Sequence, residues 1–456
     1  MTNIHKPQVA LFVDVDRNQL YDYSNPHFQI IREKGMLCLT IAQSNRHDIK
    51  HLQQNTDKLF LIDQINVDSL LELIRSLQDQ YEIKLIFCHA GHPSESGFVG
   101  CIVANVCKIL ELPYSSTESI NYCNNKFLMR QILQQHNVSS VPSALCSDVL
   151  SIKKFADEHG FPLFFKPPFG ALSSFAKCCN NLKELITHYE LFIQNYLDSR
   201  VSDFYGYEHD IVINKQFVHR YIPGKTILLE KYIDGIEGSL ECIITADKIY
   251  PVIVQEKLLI SEQKHTTLEH ILITPPHSFS SEEIKIIKQY AVECLKAIGL
   301  KHAVIHFEFK MTQNGPIVIE INPRLGGIYV NSAFRDIAKI NPYEIYIEML
   351  LGNNTRANEL ADKACDLAIK SKQFYSMAAV YPEYTGYFNG INNLTYLKDI
   401  PEVVEFNQHL PTPVNAEIEE NYLLKYWAKV DSADQANSIY QDILKNCPLD
   451  ISKNII

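Results

Sequence analysis

Three short, almost unbroken apolar runs mark the first part of the chain: QVALFV at 8–13, MLCLTIA at 36–42 and KLIFC at 84–88. Between them the apolar positions change to helical spacing, over 25–34 ending at Gly35, and again over 67–80. A continuous apolar run of this length suits a strand buried on both faces. Strands that alternate with helices in this way predict βαβ units and a parallel sheet. Further on, helices are predicted over 121–136, 180–198, 342–351 and 432–445, and a short strand over 161–167. The segment 226–254 reads as a strand, a turn at Asp234-Gly235 and two more strands. Ser280 to Leu300 opens with Ser-Ser-Glu-Glu, a capped helix start, and continues as an amphipathic helix. The stretch 199–225 shows no clear period, and the tail after Gly352 holds short strands and turns.

The clearest alternation lies at 304–322, where two strands flank Thr312-Gln313-Asn314-Gly315 and predict a β-hairpin. Alternation puts Ile305, Phe307, Phe309 and Met311 on one face and His306, Glu308 and Lys310 on the other. In the second strand it separates Ile317, Ile319 and Ile321 from Val318, Glu320 and Asn322. Glu308, Glu320 and Asn322 then converge, and two carboxylates so placed call for a cation between them. Few ligands, all hard oxygens, suit Mg²⁺ on substrate phosphates better than a closed Ca²⁺ cage or a zinc site. Arg324 follows, a donor able to bridge two oxygens of a phosphate or carboxylate.

Two lysines point the same way. Lys126 falls in the first turn of the 121–136 helix, where the helix dipole disfavours a cation and an anion nearby would compensate. Lys166 is the one charge in FPLFFKP (161–167), and a buried ammonium needs either a carboxylate or a phosphate partner. The loop HAGHPSESG (89–97) leaves the carboxyl end of a predicted strand, where open α/β sheets bind ligands, so His89, His92 and Glu95 are candidate substrate contacts. Gly224-Lys225-Thr226 ends like a P-loop but has His219 where the earlier glycine belongs, so no phosphate loop is assigned there.

Composition narrows the picture. The chain has 456 residues, 46% of them hydrophobic, and a net charge of −11, which disfavours nucleic acid or an anionic membrane as partner. No run approaches the ~20 apolar residues of a membrane span, and the start turns acidic too early for a signal peptide, so a cytoplasmic protein is expected. The twelve cysteines show no C-x-x-C spacing and are read as reduced core thiols. His47 and His51 have the i, i+4 spacing of a metal pair but no third ligand, and are read as surface residues.

The pattern H-x-E (His306, Glu308) followed by E-I-N-P-R-L-G-G (320–327) resembles the metal-binding segment of the ATP-grasp superfamily, especially its carboxylate–amine ligases, L-amino acid ligases among them. Supporting matches come in the family's order: Asn125-Lys126 with Met129-Arg130, then Lys166, then Glu230, Lys231, Ile233 and Glu237. The resemblance implies ATP and Mg²⁺, with Mn²⁺ as a substitute, as cofactors. It assigns the metal to Glu308, Glu320 and Asn322, and ATP phosphates to Lys126, Lys166 and the loop 168–177 with Ser173 and Ser174. Glu230, Lys231 and Ile233 would frame adenine, Glu237 would accept the ribose hydroxyls, and Arg324 and His306 would be catalytic. The loop departs from the family in having only Gly170, with Leu172 and Phe175 where more glycine is usual. The implied fold is α/β (α+β): an N-terminal Rossmann-like parallel-sheet domain (1–118), an ATP-grasp domain (119–352) with a lid region at about 150–230, and a C-terminal module (353–456). The implied reaction is ADP-forming ligation of a small-molecule carboxylate and an amine, by a protein for which a homodimer is compatible. A purine-pathway ligase shares these motifs. A biotin carboxylase would carry V-E-H after the arginine where L-G-G stands, and a nucleotide-binding protein without turnover would be expected to lose metal ligands first.

Overall fold

The computed structural model describes residues 6–15, 26–46, 48–213, 216–327 and 329–453. Asn25, where the first helix was expected to begin, and His47 of the histidine pair lie outside them. Among the described residues no helix is long and apolar enough to cross a membrane, and all twelve cysteines are free thiols.

The three apolar runs become parallel strands in a four-stranded sheet ordered Lys58–Ile62, Leu37–Gln43, Gln8–Asp14, Glu82–Cys88. In the two middle strands every residue after the first is buried, as a sheet covered on both faces requires. Helices Val67–Leu77 and Val99–Ile109 cover one face. Pro26–Glu33 covers the other together with Ile347 and Leu350 of Pro342–Leu350, which docks this sheet onto the later chain. The half-exposed strand Lys58–Ile62 has no clean pattern and was not anticipated.

A second sheet, antiparallel and four-stranded, orders Ser143–Cys146, Ile227–Lys231, Leu163–Lys166 and Lys177–Cys179. Helices Val149–His159 and Leu182–Asn195 pack on it. The unassigned stretch before it contains an antiparallel pair, His209–Ile213 with Gln216–Tyr221. Gly224-Lys225-Thr226 is a closed turn whose Thr226 hydroxyl accepts from the Ile222 amide.

The largest sheet has eight strands: Gly315–Asn322, Ala303–Thr312, Ile236–Ile244, Ile249–Glu262, Thr267–Thr274, Phe374–Val380, Leu424–Val430 and Val403–Gln408. The last three belong to the tail, and Thr274 pairs directly with Tyr375, so the tail extends the sheet that carries the hairpin. Helix Ser281–Ile298 covers one face, with the expected capping box at Ser280 and Glu283 and a left-handed stop at Gly299.

Two local features differ from the sequence reading, and both shape the cavity. The helix expected over 121–136 is two helices, Thr117–Asn124 and Lys126–Gln135, because Asn125 is extended (φ −115°, ψ 102°) and its side chain caps the amides of Phe127 and Leu128. The even alternation expected for the hairpin also fails. Glu308 pairs with Glu320 but Phe309 pairs with Val318, leaving Ile319 as an extra residue. One inserted residue reverses the facing of everything beyond it. Val318, expected beside Glu320, is therefore buried in the core and Ile319 lines the cavity.

A bulge frees backbone groups from the ladder, and these must find other partners. Arg130 supplies them, with Nη1 to Val318 O at 2.6 Å and Nη2 to Ile319 O at 3.3 Å. The Val318 amide donates to Tyr290 Oη at 3.0 Å. Arg130 is buried and also binds Glu230, so Arg130→Met should cost of order 3 kcal/mol through groups left unpaired in the interior. Urea denaturation checks this, and a loss below about 1 kcal/mol would contradict the role given to Arg130.

Candidate active site

A cavity of roughly 770 Å³ lies between the antiparallel four-stranded sheet and the eight-stranded sheet. Every residue given a nucleotide, metal or catalytic role from the sequence lines it: Lys126, Lys166, Ser173, Ser174, Glu230, Lys231, Ile233, Glu237, His306, Glu308, Glu320, Asn322 and Arg324. His89, His92 and Glu95 are not part of its lining.

The innermost charges form a buried triad. Glu230 accepts from Arg130 Nε at 2.8 Å and Nη2 at 3.2 Å, and from Lys166 Nζ at 2.8 Å. Burial by itself would raise the Glu230 pKa, but the Arg130 and Lys166 charges hold it down at about 2. Burial lowers the Lys166 pKa, and attraction to Glu230 only partly offsets this. The Glu230 carboxylate is thus committed to two cations, and its backbone lies in a strand paired on both sides. Arg130 is a site residue that the motif contained without a role, and its i, i+4 relation to Lys126 was the available signal. Lys231 turns its ammonium to the carbonyls of Gly160 and Phe161, at 3.2 and 3.3 Å.

On the hairpin, Lys126 Nζ meets Glu320 at 3.0 Å, and Asn322 Nδ2 donates to Glu320 at 2.7 Å. Glu308 contacts Lys257 Nζ at 2.9 Å and His306 Nε2 at 3.2 Å. Lys257 also bonds Glu237, at 2.5 Å, and Glu269. Oxygens of Glu237, Glu269 and Glu308 lie within 4.8 Å of one another, close enough to share a metal ion. Burial is the main force raising Glu269, to about 7; the Glu308 and Glu237 carboxylates add to it and Lys257 opposes it. Sequence reasoning missed Lys257 and Glu269 because single charges in alternating strands look like a solvated face.

His306 is held between two carboxylates. Its Nδ1 lies 2.5 Å from Glu241, which is itself buried, and its Nε2 faces Glu308. Burial would lower the imidazole pKa, but Glu241 and Glu308 outweigh it and raise it to about 10. Both ring protons are therefore in use, which lets His306 orient Glu308. The Gly326 amide donates to the second Glu241 oxygen at 3.2 Å, and a Cβ on Gly326 would stand 2.6 Å from the His306 ring. The L-G-G segment closes against the hairpin only because that position is glycine.

The loop 168–177 reaches its shape without the usual glycines. Leu172, Ser173 and Phe175 take left-handed φ values of 55°, 47° and 55°, which cost of order 1 kcal/mol or more each. Tertiary contacts hold them there. Phe175 N donates to Ile418 O at 2.9 Å, Glu420 N to Leu172 O at 3.0 Å, and Thr266 Oγ1 to Ser173 O at 2.9 Å. The Ser174 hydroxyl, expected to face a phosphate, is buried against Ser199 Oγ at 2.9 Å and Tyr205 Oη at 2.8 Å. Arg324 stands at the end of the cavity toward the N-terminal sheet: beyond the effect of burial, its charge helps to lower the pKa of His89 and of His92.

The fold and these charges define a class. Residues 160–332 match the family model of the ATP-grasp domain. In structure it is similar to L-amino acid ligase from Bacillus licheniformis, with a TM-score of 0.73 over 98% of this chain and 99% of that one, at 15% identity. In sequence it is 26% identical over 266 residues to the uncharacterized protein y4rH of Sinorhizobium fredii, covering 58% of this chain and 48% of that protein. It is 22% identical over 291 residues to dapdiamide A synthase of Enterobacter agglomerans, covering 63% of this chain and 58% of that protein. The chain thus spans about half the length of these relatives.

The His306 environment makes a direct prediction. Its folded pKa lies above the ordinary value of about 6.5, so its contribution to stability is complete below that pH and is lost as pH rises through about 10. The His306 ring nitrogens, assigned by comparison with His306→Gln, should keep imidazolium ¹⁵N shifts from about pH 5.5 to about 8.5. A midpoint near 6.5 would contradict the Glu241–His306–Glu308 arrangement.

Proposed function

We propose that the protein is an ATP-dependent carboxylate–amine ligase that forms an amide or peptide bond, with an amino acid as one substrate. The observation that carries this reading is one cavity lined by Lys126 and Lys166, by the carboxylates of Glu308 and Glu320, by Asn322 and by Arg324. Similarity to an L-amino acid ligase and to a dapdiamide synthase supports the amino-acid assignment.

In the proposed reaction a carboxylate oxygen of the first substrate attacks the γ-phosphorus of ATP, giving an acyl phosphate and ADP. The nitrogen of the second substrate, as a free amine, then attacks the acyl carbon; the amide forms, phosphate leaves and the amine loses a proton. Phosphoryl transfer needs charge neutralisation and alignment more than covalent help. Lys126 and Lys166 would supply the first along the phosphates, and the clamped loop 168–177 would cover them. Glu308, Glu320 and Asn322 fit Mg²⁺, because all three offer hard oxygens and both carboxylates are ionised by their lysine contacts. When bound, that ion would neutralise the phosphate charge. His306 would fix Glu308, and Lys257 would hold Glu237 and Glu308 in register. Arg324 can bridge the substrate carboxylate before transfer and the acyl phosphate after it.

The test is ADP release from Mg·ATP across a matrix of amino-acid pairs, with product mass read in parallel. At least one pair should give ADP together with a product of the summed mass less one water. No ADP from any pair would overturn the proposal. Arg324 acts mainly on the transferring group, so Arg324→Met should bind Mg·ATP within a few fold of wild type while losing about 100-fold or more in amide formation. Normal turnover by that variant would remove Arg324 from the mechanism.

A further inference from the structure

The loop 168–177 is fastened by two histidines that the proposed reaction does not use. His188, on the helix Leu182–Asn195, is 2% exposed, and its ring stands edge-on to Phe165, the residue before Lys166. Its Nε2 lies 2.9 Å from the Phe175 carbonyl oxygen, and its Nδ1 lies 3.3 Å from Nδ1 of His265. His265 belongs to the turn that joins Ile249–Glu262 to Thr267–Thr274 in the eight-stranded sheet. Its own Nε2 is closed off from solvent and meets no partner among the described residues.

These contacts fix where the protons are. A carbonyl only accepts, so Nε2 of His188 carries a proton. One proton lies between the two Nδ1 atoms, and it belongs to His265, because a second proton on His188 would make a buried imidazolium. The surroundings reject that charge. Burial lowers the His188 pKa to about 4 against the pull of the Phe175 carbonyl, and His265 and Lys177 lower it further. Burial also lowers the His265 pKa, with Lys177 and Lys264 adding to the effect and Glu417 opposing it. Nε2 of His265 is then a bare lone pair, in keeping with a position that offers no acceptor. Two neutral rings thus form a relay, from His265 Nδ1–H to His188 Nδ1 and from His188 Nε2–H to Phe175 O.

The relay ends on a strained residue. Phe175 has a left-handed φ of 55°, its N–H donates to Ile418 O at 2.9 Å, and its carbonyl takes the His188 proton. Both of its backbone groups are therefore held by partners outside the loop. The turn that carries His265 adds two more contacts, Thr266 Oγ1 to Ser173 O at 2.9 Å and Lys177 Nζ to Lys264 O at 2.6 Å. The loop belongs to the four-stranded sheet and the turn to the eight-stranded one, so these contacts tie together the two walls between which the cavity lies.

We propose that His188, oriented by His265, is a positioning residue that holds the loop 168–177 in the shape that covers the nucleotide phosphates. This rests on the nucleotide role that the ligase reading gives the loop, and deepens it. A loop already held in its bound shape spares the cost of ordering it when the ligand arrives. The histidine pair thereby does from outside what glycines would do from within, since it keeps a left-handed backbone in place at a residue that does not favour it.

The first test needs no ligand. In the full chain labelled with ¹⁵N-histidine, with signals assigned from His188→Gln and His265→Gln, the ring shifts at about pH 7 should show His188 protonated at Nε2 alone and His265 at Nδ1 alone. The opposite tautomer of either ring, or a charged ring, would overturn the relay. The second test separates positioning from packing. His188→Leu keeps a similar volume without the donor, and His188→Gln keeps an N–H near the Nε2 position. By calorimetry well below the melting transition, His188→Leu should bind Mg·ATP about tenfold more weakly and adenosine, which has no phosphates, within about twofold of wild type. Deuterium should enter the backbone of 171–177 about tenfold faster in that variant. His188→Gln should recover most of both losses. An equal loss for adenosine, unchanged Mg·ATP affinity in His188→Leu, or no recovery in His188→Gln would overturn the proposal. Wild type with these tautomers that binds no Mg·ATP would sink the ligase reading and leave the hold on Phe175. An active ligase whose KM for ATP is indifferent to His188→Leu would do the reverse.

Discussion

Glu230 is a carboxylate buried where a charge without partners would cost several kcal/mol, and the two cations that neutralise it organise both walls of the cavity. Arg130 comes from the helix that Asn125 starts, and its remaining donors hold the carbonyls of the bulge at Val318 and Ile319. Lys166 comes from the strand paired to the one that carries Glu230. Through these contacts the antiparallel four-stranded sheet, the helix Lys126–Gln135 and the hairpin share one buried cluster. The bulge in turn decides which residues of the second hairpin strand face the cavity, so the positions of Glu320 and Asn322 depend on a guanidinium nearly two hundred residues earlier in the chain.

The same principle runs through the rest of the site. Lys126 is shared with Glu320, Lys166 with Glu230, and Lys257 with three carboxylates. These three lysines of the cavity are therefore all held in ion pairs. Lys166 is the freest to change partner, because the bidentate contact from Arg130 can neutralise Glu230 by itself. Burial also weakens its hold on the proton, which a second anion nearby would offset.

Much of this was legible in the sequence because it depends on local period and on charges in unlikely places. The apolar runs at 8–13, 36–42 and 84–88 became parallel strands, the Ser280 capping signature became a helix start, and the lone Lys166 in an apolar strand marked a buried anion partner. What stayed hidden involves partners distant along the chain. The bulge at Ile319 is invisible in a sequence that alternates well enough without it, and its cause lies at Arg130 and Tyr290. Lys257 and Glu269 look like solvated strand residues until Glu237 and Glu308 are placed opposite them. The left-handed conformations of Leu172, Ser173 and Phe175 contradict their residue types and persist through contacts with Thr266, Ile418 and Glu420. The tail strand Phe374–Val380 joins the central sheet through Thr267–Thr274, a pairing that no local signal announces.

The measurement that bears most directly on this account is the affinity of Lys166→Met for Mg·ATP, taken by calorimetry alongside its melting temperature. If Lys166 passes from Glu230 to phosphate while Arg130 keeps Glu230 neutral, nucleotide affinity should fall at least tenfold, about 1.4 kcal/mol, with little change in melting temperature. Unchanged affinity with a large drop in melting temperature would show Lys166 to be a structural counter-ion and would contradict the account.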